Sequence, residues 1–142
     1  MVSVQQLNLG LQVLVFIILS VGFFYLRKHR NVRGFSIHGY VMLGAVLLNL
    51  FSFLLVMGPA ILGLRPFIMD RPTHVLAIIT IVHASVGTVA EVMGGYFAFS
   101  WVLQACSIRR CVGKKRMMRL TFTLWSISFV SGLIEYAILY LL

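Results

Sequence analysis

An all-α, integral membrane four-helix bundle with both termini outside is the fold class this sequence predicts, and three observations carry it. Of 142 residues, 61% are hydrophobic and only 11% charged, against roughly 25% charged in a soluble domain. The mean hydropathy is +1.01. The apolar residues fall into four runs, each near or above the ~20 residues that cross a hydrocarbon core. The runs use almost the whole chain, so 1–142 is read as one transmembrane domain with no extramembrane unit.

The first run spans about Leu7 to Leu26. The start MVSVQQLNLGLQ has no positive segment, and the charges follow the apolar run, which reverses the polarity of a cleavable signal peptide. A retained first span is therefore expected. The second run, Ile37 to Leu62, is followed by a connection with Pro59, Pro66 and Pro72 at or near it. There a missing backbone N–H does least harm, and the second helix is expected to end near Leu62. The third run, His74 to Leu103, is the most continuous, and the fourth, Leu120 to Leu142, closes the bundle.

Orientation follows from the basic residues. Arg27, Lys28, Arg30 and Arg33 lie in the first connection, and Arg109, Arg110, Lys114, Lys115, Arg116 and Arg119 in the third. The second holds only Arg65 and Arg71, with Asp70. The positive-inside rule places the first and third connections in the cytoplasm. The net charge of +9 is thus a topology signal that also suits anionic lipid headgroups. No nucleic-acid recognition module accompanies it. A multi-pass protein of the cell membrane is expected, with other membrane subunits or further copies of itself as partners.

Ionisable and amide side chains inside the spans are the candidates for function, because hydrocarbon charges several kcal/mol for each. His83, Gly87, Glu91 and Gly94 advance by four, four and three residues and form one stripe on the third helix. A rise of 1.5 Å per residue puts His83 roughly 8 Å to the outer side of the span midpoint and Glu91 roughly 5 Å to the inner side. Glu135 and Gln12 come out level with His83, and Asn49 level with Glu91. Two polar clusters are expected, His83 with Glu135 and Gln12, and Asn49 with Glu91. Each is read either as interhelical glue or as part of a ligand, proton or cofactor site.

His38 and His74 stand at the beginnings of the second and third spans, where headgroups are expected, and His29 lies among loop cations. His38 is roughly 24 Å in depth from His83, too far to share one iron. His74 and His83 lie on opposite faces of one helix. Cys106 and Cys111, with Met117 and Met118, offer soft ligands for Cu(I), although C-x4-C without another thiolate also suits ordinary interfacial residues. The sequence has no H-E-x-x-H, G-x-S-x-G or P-loop. A non-enzymatic protein is the expectation.

HGYVML at 38–43, VHASVG around His83, and the ending KKRMMRLTFTLWSISFVSGLIEYAILYLL resemble a family of small multi-pass prokaryotic membrane proteins of unknown function. The family is associated with haem–copper oxidases, and some members act in cytochrome oxidase assembly. The resemblance covers roughly residues 34 to 142. It implies an accessory subunit or assembly factor of a respiratory complex, or alternatively a small membrane redox protein that binds haem or copper through His83. The family pattern places histidines at the starts of the second and last helices, late in the second and within the third. His38 and His83 match two of these positions, whereas Ala60 and Lys114 stand at the other two. If the family holds metal or haem through such pairs, the resemblance implies that this chain either has kept the fold without the site or uses His74 and Glu135 instead.

Overall fold

The computed structural model describes residues 4–28, 32–103 and 113–140. Helix α1 runs Val4–Lys28, α2 Val32–Ser52, α3 Gly58–Asp70, α4 Val75–Leu103 and α5 Lys115–Tyr140. A π-helical turn, Phe53–Met57, joins α2 to α3 without a break. Four helices are long and apolar enough to cross a membrane: Gln5–Tyr25, the joined Ser36–Asp70, Val75–Leu103 and Lys115–Tyr140. Among the described residues there is no strand.

The second helix continues past its expected end at Leu62 to Asp70, through Pro59 and Pro66. The π turn explains how. The N–H of Gly58 donates to the carbonyl of Phe53, five residues back, so the ladder is already widened where the Pro59 ring enters. Pro59 then occupies the first turn of α3, where no N–H is needed. Pro66 sits inside a segment with no buried residue, so its lost hydrogen bond disturbs no packing. The helix stops at Asp70, and α4 starts behind a cap made by His74, whose Nδ1 accepts from the N–H of Leu76 at 3.2 Å. The last helix begins five residues before Leu120, because Lys, Arg and Met propagate a helix well.

The helices alternate in direction. One end of the bundle carries the start of α1 and the end of α5, and is called here the terminal end. The other carries Lys114, Lys115, Arg116 and Arg119, and is called the basic end. The helix α4 packs most extensively on α5, and α1 on α2, with α2 joining the two pairs. Between α1 and α5 the link is an aromatic ladder, Phe23 on Phe122 at 4.7 Å and Phe16 on Phe129 at 4.4 Å between ring centroids.

The bundle inverts the size pattern of a soluble core. Its buried apolar residues are mostly small or mid-sized, Ala45, Val46, Ala77, Ala90 and Ala98 with Val15, Leu19 and Trp125. Large side chains such as Leu14, Ile17, Phe51, Leu62, Val92 and Phe99 point outward. Lipid tails are as apolar as leucine, so burial of large residues drives nothing here, and close backbone approach does. Gly39 on α2 shows how close: any Cβ there would collide with the Trp101 indole of α4.

Candidate functional site

At the terminal end α1, the π turn, α3, α4 and α5 splay around a cavity of about 210 Å³. Its wall carries Gln12, Asn49, His83 and Glu135 of the expected clusters, together with Thr80, Ser128 and the rings of Phe16, Phe129 and Trp125. Glu91 lies behind this wall, 8% exposed, and is reached through Asn49, whose Nδ2 donates to its Oε2 at 2.6 Å. The other carboxylate oxygen, Oε1, is buried with no protein partner.

Asn49 and Glu91 are thus brought together, but His83 and Glu135 are not paired. Thr80 donates its hydroxyl to Oε1 of Glu135 at 2.6 Å. His83 bonds instead through Nδ1 to the backbone carbonyl of Ser128, at 2.8 Å. The reason is register. The ring of His83 lies against Gly132, where a Cβ would stand 2.7 Å from Cε1. Gly132 is therefore the residue level with His83, and Glu135, three residues on, is level with Thr80. The difference of about 4.5 Å along the axis is what equal span midpoints cannot resolve. Gln12 likewise turns to its own neighbours: its amide donates to Ser52 Oγ at 2.9 Å, and Ser52 donates to Asn8 at 2.6 Å.

The stripe on α4 also divides between two partners. His83 and Gly87 meet α5, where a Cβ on Gly87 would stand 2.7 Å from Ser128 Oγ. Glu91 meets α2 through Asn49. Eight residues of helix turn through about 80° beyond two full turns, enough to carry Glu91 from one neighbour to the other.

His83 is oriented in the manner of a ligating imidazole. A carbonyl only accepts, so Nδ1 donates in the Ser128 bond, and Nε2, when it carries no proton, is a lone-pair acceptor. His38 is arranged alike at the basic end, with Nδ1 on the Gly22 carbonyl at 2.9 Å. It is 4% exposed, however, and its Nε2 is buried without a partner. His38 thus stands at the start of its span with its ring turned into the bundle: Gly22, without a side chain, leaves its carbonyl accessible to the ring. His74 is exposed, spends Nδ1 on its capping bond, and packs edge-on against Phe67.

The implied cofactors do not fit this site within one chain. A drug-sized ligand needs roughly 300–1,000 Å³, more than the cavity has, so a haem macrocycle has no room. His38, buried, and His83, half-buried, lie toward opposite ends. Among the described residues, no three His, Cys, Asp or Glu side chains are grouped to hold a metal ion. Cys106 and Cys111 lie outside the described residues, as do His29, Arg109 and Arg110. Of the two positions where the resembled family has histidine, Ala60 is on the cavity wall. Lys114 is bonded at 3.2 Å to the Tyr96 hydroxyl, with its ammonium 4.5 Å from the ring centroid.

Thr80, Ser52, Ser128 and Gly132 were not among the candidates, yet they hold Glu135, Gln12 and His83. A signal existed for three of them. Thr80 is one turn from His83, and Ser128 and Gly132 form a small-x3-small pair facing α4. No family model, curated protein or solved structure matches this chain.

Proposed function

We propose that this multi-pass membrane protein is a non-catalytic accessory subunit or assembly factor of a respiratory, cytochrome oxidase-type complex in the cell membrane. The observation that carries the non-catalytic part is where the intramembrane polar groups go. Asn49 with Glu91, Thr80 with Glu135, His83 with Ser128, and Gln12 with Ser52 and Asn8 each tie one helix to the next. They knit a scaffold and do not converge on one reacting centre. The oxidase association is supported by the resemblance of residues 34–142. Deleting the gene in its host is expected to lower oxidase activity and oxidase haem absorbance in isolated membranes, and re-expression to restore them. Unchanged oxidase content would remove the proposal.

The proposed orientation puts the terminal end outside. A cysteine replacing Thr73, in a background without the native cysteines, should react with an impermeant thiol reagent on intact cells. One replacing Gly113, at the basic end, should react only after lysis.

A second reading, a haem- or copper-binding redox protein, is favoured by the free Nε2 of His83 alone. It requires ligands and space from another chain, so the purified single chain is expected to show no Soret band. A low-spin Soret band lost in His83→Ala would replace the first reading with this one.

A further inference from the structure

We propose that the terminal-end cavity binds the head of a membrane amphiphile carrying a ring hydroxyl, an alkylated phenol or hydroquinone, with His83 and Glu135 as its hydrogen-bond acceptors. This stands on the cavity and its chemistry, and goes beyond the accessory role proposed above.

Size selects a single ring. An apolar cavity of about 150 Å³ is enough for benzene, and this one has about 210 Å³. The walls offer aromatic faces from Phe16, Phe129 and Trp125, which suit a flat ring in stacked or edge contact.

The polar groups select a donor. Nδ1 of His83 is committed to the Ser128 carbonyl, leaving Nε2 as acceptor. Thr80 takes Oε1 of Glu135 and thereby uses its own hydroxyl proton, while Oε2 remains. Gln12 donates to Ser52, away from both. Both residues line the cavity, about one helical turn apart, and a hydroxyl satisfies such an acceptor where a carbonyl does not. Among the described residues no lysine or arginine lines the cavity, so nothing there compensates the charge of an anionic headgroup.

Access is from the bilayer. The rings that bridge α1 and α5 reach no further toward the terminal end than Phe16 with Phe129. Beyond them the wall residues Leu133, Leu139 and Tyr140 are 37%, 39% and 52% exposed. An alkyl tail leaves along that seam into lipid while the ring stays inside.

Calorimetric titration of the full chain in detergent tests this with decyl-hydroquinone under anaerobic reducing conditions, decyl-benzoquinone and decanol. Saturable single-site binding of the hydroquinone is expected, tighter than the quinone by about tenfold, the worth of one hydrogen bond. His83→Leu should reduce that preference and His83→Leu with Glu135→Leu should erase it, and Ala84→Phe or Ala60→Phe, both at the cavity wall, should abolish binding in protein whose melting curve is unchanged. The two fillers lie on different helices, so one that fails to fold leaves the other. Equal affinity for quinone and hydroquinone would overturn the acceptor assignment. Equal affinity for decanol would make it an alkyl-chain site. Binding that survives a folded filler would be partition into detergent. None of these readings involves an oxidase, so they succeed or fail apart from the accessory role.

Discussion

The two halves of the bundle use the same small-residue chemistry to opposite ends. Toward the basic end, glycine on one helix receives an aromatic ring from another: Trp101 fills the space at Gly39, its edge held by Tyr40 at 5.1 Å. Trp125 fills the space at Gly94, where a Cβ would stand 3.0 Å away. That half is closed, and it tolerates His38 Nε2 and Trp125 Nε1 buried with no partner among the described residues. Toward the terminal end, glycine receives polar side chains, His83 at Gly132 and Ser128 at Gly87. Polar side chains are drawn to whichever neighbour offers a bond, so they tie helices sideways and leave the middle open. Asn49 and Glu91 mark the boundary, on the cavity wall and just behind it.

The largest effect should separate the halves directly. Gly39→Ala forces a methyl against an indole that Tyr40 holds in place, and overpacking of that kind costs about 3 kcal/mol. Gly132→Ala should cost only about 1 kcal/mol, roughly the Ser128 hydrogen bond, because the His83 ring has the cavity to move into. Unfolding in mixed detergent micelles measures both, with Gly95→Ala, which meets nothing within 4 Å, as the neutral control. Equal losses at the two glycines would erase the distinction between closed and open halves.

At the boundary, Asn49→Leu strips the last partner from a buried carboxyl that already has one oxygen unsatisfied. A loss of about 2 kcal/mol is expected. Adding Glu91→Leu should recover much of it, since both polar groups are then gone. A double variant no better than the single would mean that Glu91 has another partner.

The smallest effect resolves the register of α4 on α5. Thr80→Val and Glu135→Leu should couple by about 0.6 kcal/mol, typical of hydrogen bonds between membrane helices. His83→Leu and Glu135→Leu should be additive to within about 0.5 kcal/mol, as for residues that do not interact. Coupling of the second pair in place of the first would shift the helices by one turn.

Much of the fold was legible before any coordinates. Apolar run length against hydrocarbon thickness locates four spans, and the third, read as His74 to Leu103, is the helix Val75–Leu103. Asn49 opposite Glu91 was legible too, because the residues lie near their span centres, where depth depends least on where a span begins. The continuation to Asp70 was not, because a proline reads as a stop unless the turn before it has already opened. The inward turn of His38 was not legible either, since sequence position near a span end says nothing about which way a ring turns.

Amino-acid order alone determined that this chain crosses a membrane, how many times, and which polar side chains must be accommodated there, since transfer free energies add along a segment without regard to its neighbours. Only the tertiary structure decided who accommodates whom. A shift of one turn between two helices changes almost no apolar burial in lipid, so nothing in hydropathy selects it. Glycines do. The seat at Gly132 takes His83, the seat at Gly87 takes Ser128, and with those contacts made Glu135 has Thr80 beside it and the cavity has its acceptors.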